Sequence, residues 1–253
     1  MGVIMESKVP KVTAHTGCMD TIPNTLESAV EGIKLGVDII EVDARVTKDG
    51  KVILMHDDFI NTSLGEKIYV RDLTYDELNR YLFQNGINIV QLSQVLDLCK
   101  KDLKTLNIDV KDFNGIEFIV KAVTEKEMEN YVILSGCDRD NIKILNEHYS
   151  NINYLLNAEE GICKEDKDIY KSFILDTCKD AKDARCIGVN LFYMDCTKEF
   201  VEYAHEKGLQ IHVWTVDEET QMDGLIDILV DSITTNRVDK LIKKVRLREL
   251  KYS

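Results

Sequence analysis

Short apolar or β-branched runs recur along the chain, each separated from the next by a longer stretch in which apolar residues return every three or four positions. The runs at 11–15, 38–46, 104–110, 131–135, 152–156, 186–190, 210–216 and 232–235 read as strands. The stretch after the first run has Leu26, Ala29, Val30, Ile33 and Leu35 on one helical stripe. Asn24 or Thr25 can cap it and Gly36 ends it. Further helices are expected at about 93–101, 115–128, 139–148, 161–179, 197–207, 218–226 and 236–246.

Strands that alternate with helices imply a parallel sheet with right-handed crossovers. Eight such units most simply close as a (β/α)8 TIM barrel. A doubly wound open sheet is the alternative, but no GxGxxG follows an early strand. The chain has 253 residues, the size of one barrel, with two prolines and no low-complexity linker. It is therefore expected as a single domain over 1–253. The regular pattern breaks once. After 38–46 come a turn at Lys48-Asp49-Gly50 and a second β-run, 51–56. Residues 57–90 then read as a small irregular insertion with a helical piece near 74–82.

Polar residues interrupt the apolar runs at particular places. Glu41 and Asp43 stand at i and i+2 on a strand otherwise too apolar to be exposed, so they share a face. Such a pair also suits a solvated sheet face. Buried together, two like charges call for a cation, and hard oxygen donors favour Mg²⁺ or Ca²⁺ over zinc. Asp109 and Lys111 repeat the spacing at the end of 104–110. His15 ends the first strand, His56 the run 51–56, and Trp214 lies near the end of 210–216. In a barrel, all of these fall on the C-terminal rim, where active sites of this fold lie. Three carboxylates, two imidazoles and an ammonium suit phosphodiester cleavage. A metal polarises the phosphoryl oxygens, one histidine activates the nucleophile, the other protonates the leaving alkoxide, and Lys111 stabilises developing charge. His148 and His205 sit in charge-rich helical runs and read as surface; His212 reads as a satisfied core histidine.

Composition narrows the partners. A formal net charge of −13 argues against nucleic acid, and weakly against an anionic membrane surface. A small phosphodiester remains compatible, because a bound divalent ion reverses the local field. The first residues, MGVIMESKVPKV, lack the apolar run of a signal peptide, and no 18 consecutive residues are apolar, so no membrane insertion is expected. Seven cysteines without a CxxC pair fit reduced thiols in a cytoplasm. Nothing in the sequence fixes the oligomeric state.

The segments AHTG, IPNT with LES after it, GVDIIEVDARVTKDGKVILMHD, LNIDVK, GLQIHVWTVD and LVDSITTN together resemble the glycerophosphodiester phosphodiesterases, over nearly the whole chain. That resemblance implies a TIM barrel of the phospholipase-C-like type, and a divalent cation. It also implies hydrolysis of glycerophosphodiesters to glycerol 3-phosphate and an alcohol through a cyclic phosphate. By motif position it makes Glu41, Asp43 and Asp109 metal ligands, His15 and His56 the acid–base pair, and Lys111, Thr16 and Trp214 substrate contacts. Two motifs depart from the family. Its H-R-G reads His15-Thr16-Gly17, and its P-E-N-T reads Ile22-Pro23-Asn24-Thr25, so one arginine and one glutamate are missing. Two further readings follow from the departures. One is a lysophospholipase D or sphingomyelinase D-like enzyme, with Phe59, Ile60, Leu64, Ile68, Tyr69 and Leu82 as an apolar mouth. The other is a phosphodiester-binding barrel that has lost turnover.

Overall fold

The computed structural model describes residues 9–62, 65–84 and 86–252. Its first half runs β1 (Lys11–Ala14), α1 (Leu26–Leu35), β2 (Ile39–Val46), β3 (Val52–Leu54), β4 (Phe59–Asn61), β5 (Lys67–Tyr69), α2 (Tyr75–Gln84), α3 (Leu92–Lys101), β6 (Thr105–Val110) and α4 (Ile116–Glu125). The second half alternates without exception: β7 (Val132–Ser135), α5 (Arg139–His148), β8 (Asn153–Asn157), α6 (Lys167–Asp183), β9 (Gly188–Phe192), α7 (Lys198–Glu206), β10 (Gln210–Trp214), α8 (Glu219–Asp227), β11 (Ser232–Thr235) and α9 (Val238–Tyr252). Nine strands form one sheet in the order β1-β11-β10-β9-β8-β7-β6-β2-β3, and pairing of β1 with β2 closes it. β3 pairs antiparallel to β2 and lies outside the ring. The rest run parallel, which gives the (β/α)8 barrel.

Strand parity sorts the side chains. On β2, Ile40, Val42 and Ala44 join the large core between strands and helices. Leu106, Ile108 and Val110 do the same on β6. The intervening residues face the barrel axis. There, Ile39, Ile133 and Leu155 form a small apolar plug, with Ile187 packed on it. Two residues further along the same strands come Glu41, Ser135 and Asn157. The interior thus changes from apolar to polar toward the C-terminal ends. His212, on β10, is buried as expected, with Nε2 3.0 Å from Gln210 Oε1 at the start of the same strand.

Caps set the helix ends. Thr25 accepts the Ser28 N–H at 3.2 Å to start α1, and Gly36 stops it at φ 88°. The helix expected at 161–179 instead starts at Lys167, where the Asp166 side chain accepts the N–H groups of Asp168 and Ile169. The last helix extends past 246 to Tyr252.

Residues 57–90 are more regular than expected. β4 and β5 pair as a hairpin, and α2 packs behind it. Ile60, Val70, Leu78 and Leu82 bury together with Ile53, and Ile68 packs on them. This corrects the expectation of an apolar mouth in part, since Ile60, Ile68 and Leu82 are consumed in a satellite core, while Phe59 packs edge-on against Tyr69. Leu64 lies outside the described residues. Among those described, no helix is long and apolar enough to cross a membrane.

Burial pulls the pKa of His212 down to about 4. In the unfolded chain the same group titrates near 6.5. Between these values the unfolded state binds the extra proton, so native stability is full above the upper value and falls as the pH drops toward the lower one. We expect His212→Asn to flatten that decline in urea-denaturation midpoints measured across the window.

Candidate active site

Glu41, Asp43 and Asp109 converge at the polar end of the barrel. The parallel register sets Asp43 beside Asp109 on the neighbouring strand, and Glu41 lies one layer deeper on β2. One carboxylate oxygen from each lies within 4.8 Å of the others. Glu41 and Asp43 are buried, and Asp109 is half-buried. Burial pushes the Glu41 carboxyl well above the usual carboxylate range; Asp43 adds to the rise, and the Thr16 N–H at 2.9 Å opposes it. Lys111 Nζ lies 2.6 Å from Asp109 Oδ2 and 3.1 Å from Asp43 Oδ1. Burial alone would lower its pKa, but Asp109 and Asp43 more than offset that and hold it raised. One ammonium thus faces three carboxylates. The surplus of close, hard oxygen donors fits a small divalent cation.

The loop from 16 to 24 braces this cluster. Asn24 Nδ2 donates to Asp43 Oδ2 at 2.8 Å, and Asn24 Oδ1 accepts the Asp43 N–H at 3.1 Å. Asn24 adopts φ 60°, a conformation asparagine tolerates better than most residues. Thr16 was expected to meet substrate through its hydroxyl. The structure turns that group elsewhere: Oγ1 accepts the Asn24 N–H at 2.5 Å and donates to Asn24 Oδ1 at 3.4 Å. A short side chain closes the loop here, so Thr16 supports the site through its backbone N–H and its contact to Asn24.

Both histidines border one cavity of about 390 Å³, which Glu41, Asp109, Lys111 and Trp214 also line. His15 Nδ1 lies 2.9 Å from Asn236 Oδ1, and Nε2 lies 3.9 Å from Glu41 Oε2. His56 Nδ1 lies 2.9 Å from Asp57 Oδ1, on the solvent side of the rim. Each ring therefore has its Nδ1 engaged and its Nε2 left for chemistry. Arg45 ties two of these elements together, donating from Nε to the His56 carbonyl at 2.8 Å and from Nη1 to the Lys111 carbonyl at 3.2 Å. Trp214 packs against Phe192, with ring centroids 5.8 Å apart. Asn107, beside Glu41 on the neighbouring strand, and Asn157, Asn190 and Glu160 complete the lining.

Sequence reasoning missed Asn24, Arg45, Asn236 and Gly136. Arg45 continues the i, i+2 series of Glu41 and Asp43, so its place on the rim was legible in parity. Gly136 was not. It follows β7 at φ 73°, and a Cβ there would meet Asp109 Oδ1 at 2.2 Å. Only a glycine allows the acid and this turn to share the space.

Comparison with known proteins places this geometry in a family. The profile of the glycerophosphoryl diester phosphodiesterase family matches residues 15–240. A glycerophosphodiester phosphodiesterase from Caldanaerobacter subterraneus subsp. tengcongensis is 26% identical over 250 residues, covering 93% of this chain and 97% of that one. A lysophospholipase D from Homo sapiens is 22% identical, covering 91% and 84%. Among solved structures, a glycerophosphodiester phosphodiesterase from Thermotoga maritima superposes with a TM-score of 0.74 at 23% identity, over 93% of this chain and 98% of that one. A phosphodiesterase from Oleispira antarctica, in complex with the product sn-glycerol-3-phosphate, gives 0.72 at 16% identity, over 94% and 97%.

Gly136→Ala tests the packing around Asp109. The strained φ and the clash predict a loss of about 1–3 kcal/mol in denaturant unfolding. They also predict activity reduced beyond what the lost stability explains. Wild-type activity in this variant would show that Asp109 tolerates displacement.

Proposed function

The chain belongs to the glycerophosphoryl diester phosphodiesterase family, and from that premise we propose that it hydrolyses glycerophosphodiesters to glycerol 3-phosphate and an alcohol by histidine acid–base catalysis beside a divalent cation. The observation that carries this reading is the sharing of one cavity by His15, His56, Glu41, Asp109 and Lys111. Glu41, Asp43 and Asp109 would hold the cation, Mg²⁺ or Ca²⁺, which supplies Lewis-acid polarisation of the phosphoryl group when bound. The chain's own residues do the rest. One imidazole takes the proton of the attacking hydroxyl at Nε2, and the other delivers a proton to the departing alkoxide. Lys111, raised in pKa and therefore charged throughout, sits beside Asp109 and Asp43 to offset charge building on the phosphoryl oxygens. Trp214 walls the cavity and limits how the alcohol is placed.

The family arginine absent at position 16 leaves Lys111 as the cation nearest the carboxylates. The lining favours a small, water-soluble diester over a lipid with one acyl chain, since apart from Val110 and Trp214 its side chains are mostly polar. Ile60, Ile68 and Leu82, which would have helped to hold an acyl chain, are packed into a satellite core instead.

Three measurements check this. Phosphorus NMR of glycerophosphocholine incubated with the protein should show glycerol 3-phosphate. His15→Ala and His56→Ala should each lower kcat by about 10²–10⁴-fold with the circular dichroism unchanged. Near-wild-type rates in both variants would remove the acid–base assignment. Separately, chelation should abolish turnover, and Mg²⁺ or Ca²⁺ should restore it; full activity in stringently chelated buffer contradicts the cation's role.

A further inference from the structure

His15 is held from the opposite end of the chain. Its Nδ1 meets Asn236 Oδ1 at 2.9 Å, in the loop after β11. Asn236 is in turn gripped by Asp217, in the loop after β10. Asn236 Nδ2 donates to Asp217 Oδ2 at 2.9 Å, and the Asn236 backbone N–H donates to Asp217 Oδ1 at 2.8 Å. The Thr235 hydroxyl adds a third donor to that carboxylate at 3.1 Å.

The consequence follows from donor and acceptor chemistry. A carboxylate only accepts, so the side of the Asn236 amide that faces Asp217 must be its NH₂. Its carbonyl oxygen then faces His15, and that oxygen also only accepts. Neutral His15 must therefore carry its hydrogen on Nδ1, which turns the Nε2 lone pair toward the cavity. We propose that Asp217 is a positioning residue: through Asn236 it selects the tautomer of His15 that can take a proton from substrate. This deepens the functional reading and rests on it for the role of His15. Asp217 touches neither His15 nor the carboxylate cluster in any hydrogen bond of the structure; its effect is carried by the orientation of one amide.

Asp217→Asn makes the idea specific. With Oδ1 kept on the backbone N–H and Thr235, the new NH₂ would face the NH₂ of Asn236. The Asn236 amide relieves that clash by flipping, presents a donor to His15 Nδ1 and drives the ring to the Nε2–H tautomer. The expected result is a fall in kcat of about 10²–10⁴-fold with KM little changed. Nitrogen-15 NMR of His15 at alkaline pH should show Nδ1–H in the wild type and Nε2–H in the variant. The swapped pair, Asp217→Asn with Asn236→Asp, places a carboxylate against both His15 Nδ1–H and the new amide, and should recover most of the lost kcat. A purely structural role for Asp217 predicts no such rescue.

Wild-type kcat in Asp217→Asn, or a swapped pair no better than the single variant, overturns the proposal. So does Nε2–H in the wild-type protein, a measurement that needs no variant to fold. If His15→Ala retains full activity, the functional reading fails instead, and the wild-type tautomer still decides whether Asp217 orients the ring.

Discussion

Three carboxylates held close together in a largely buried place are the constraint on which the rest of this structure depends. Glu41, Asp43 and Asp109 repel one another, and burial makes the charged form of Glu41 more costly still. Lys111 answers part of that charge from within the cluster. A cation in the remaining space would answer the rest. The surroundings also respond to this charge. Asn24 gives both ends of its amide to Asp43, the Thr16 N–H points at Glu41, and Gly136 yields the volume that Asp109 occupies.

The barrel makes such a cluster possible by separating two kinds of side chain on the same strands. Outward positions of β2 and β6 supply the apolar core that stabilises the fold. Inward positions are apolar only at the plug of Ile39, Ile133 and Leu155, and polar above it. The register between β2 and β6 then fixes which acids meet. The histidines come from elsewhere, one after β1 and one beyond β3. Each has an oxygen partner at Nδ1, and two loops with different sequences bring both rings to the border of one cavity.

Much of this was legible in the sequence, because it depends on short periods. Alternation of β-runs with helical stripes implied the barrel, and i, i+2 spacing put Glu41 with Asp43 and Asp109 with Lys111. Knowing that the fold works at its C-terminal rim brought the scattered histidines together. The unread parts depend on distance in sequence or on backbone detail. Asn236 and His15 are 221 positions apart, and no local pattern joins them. The three-residue strands β4 and β5 are too short to show a period, so a small folded unit looked irregular. The engagement of the Thr16 hydroxyl with Asn24 was also unread, because the sequence shows which hydroxyl is present but not where it points.

The central claim is that the three carboxylates form a cation site facing two imidazoles, and crystallography with an anomalous scatterer tests it most directly. In crystals soaked with Mn²⁺, a stand-in for Mg²⁺, the account predicts an anomalous peak bounded by oxygens of Glu41, Asp43 and Asp109, with Nε2 of His15 and His56 turned to the same cavity. Crystals that bind Mn²⁺ elsewhere but leave this cluster without a peak, with Lys111 still bridging Asp43 and Asp109, would contradict it.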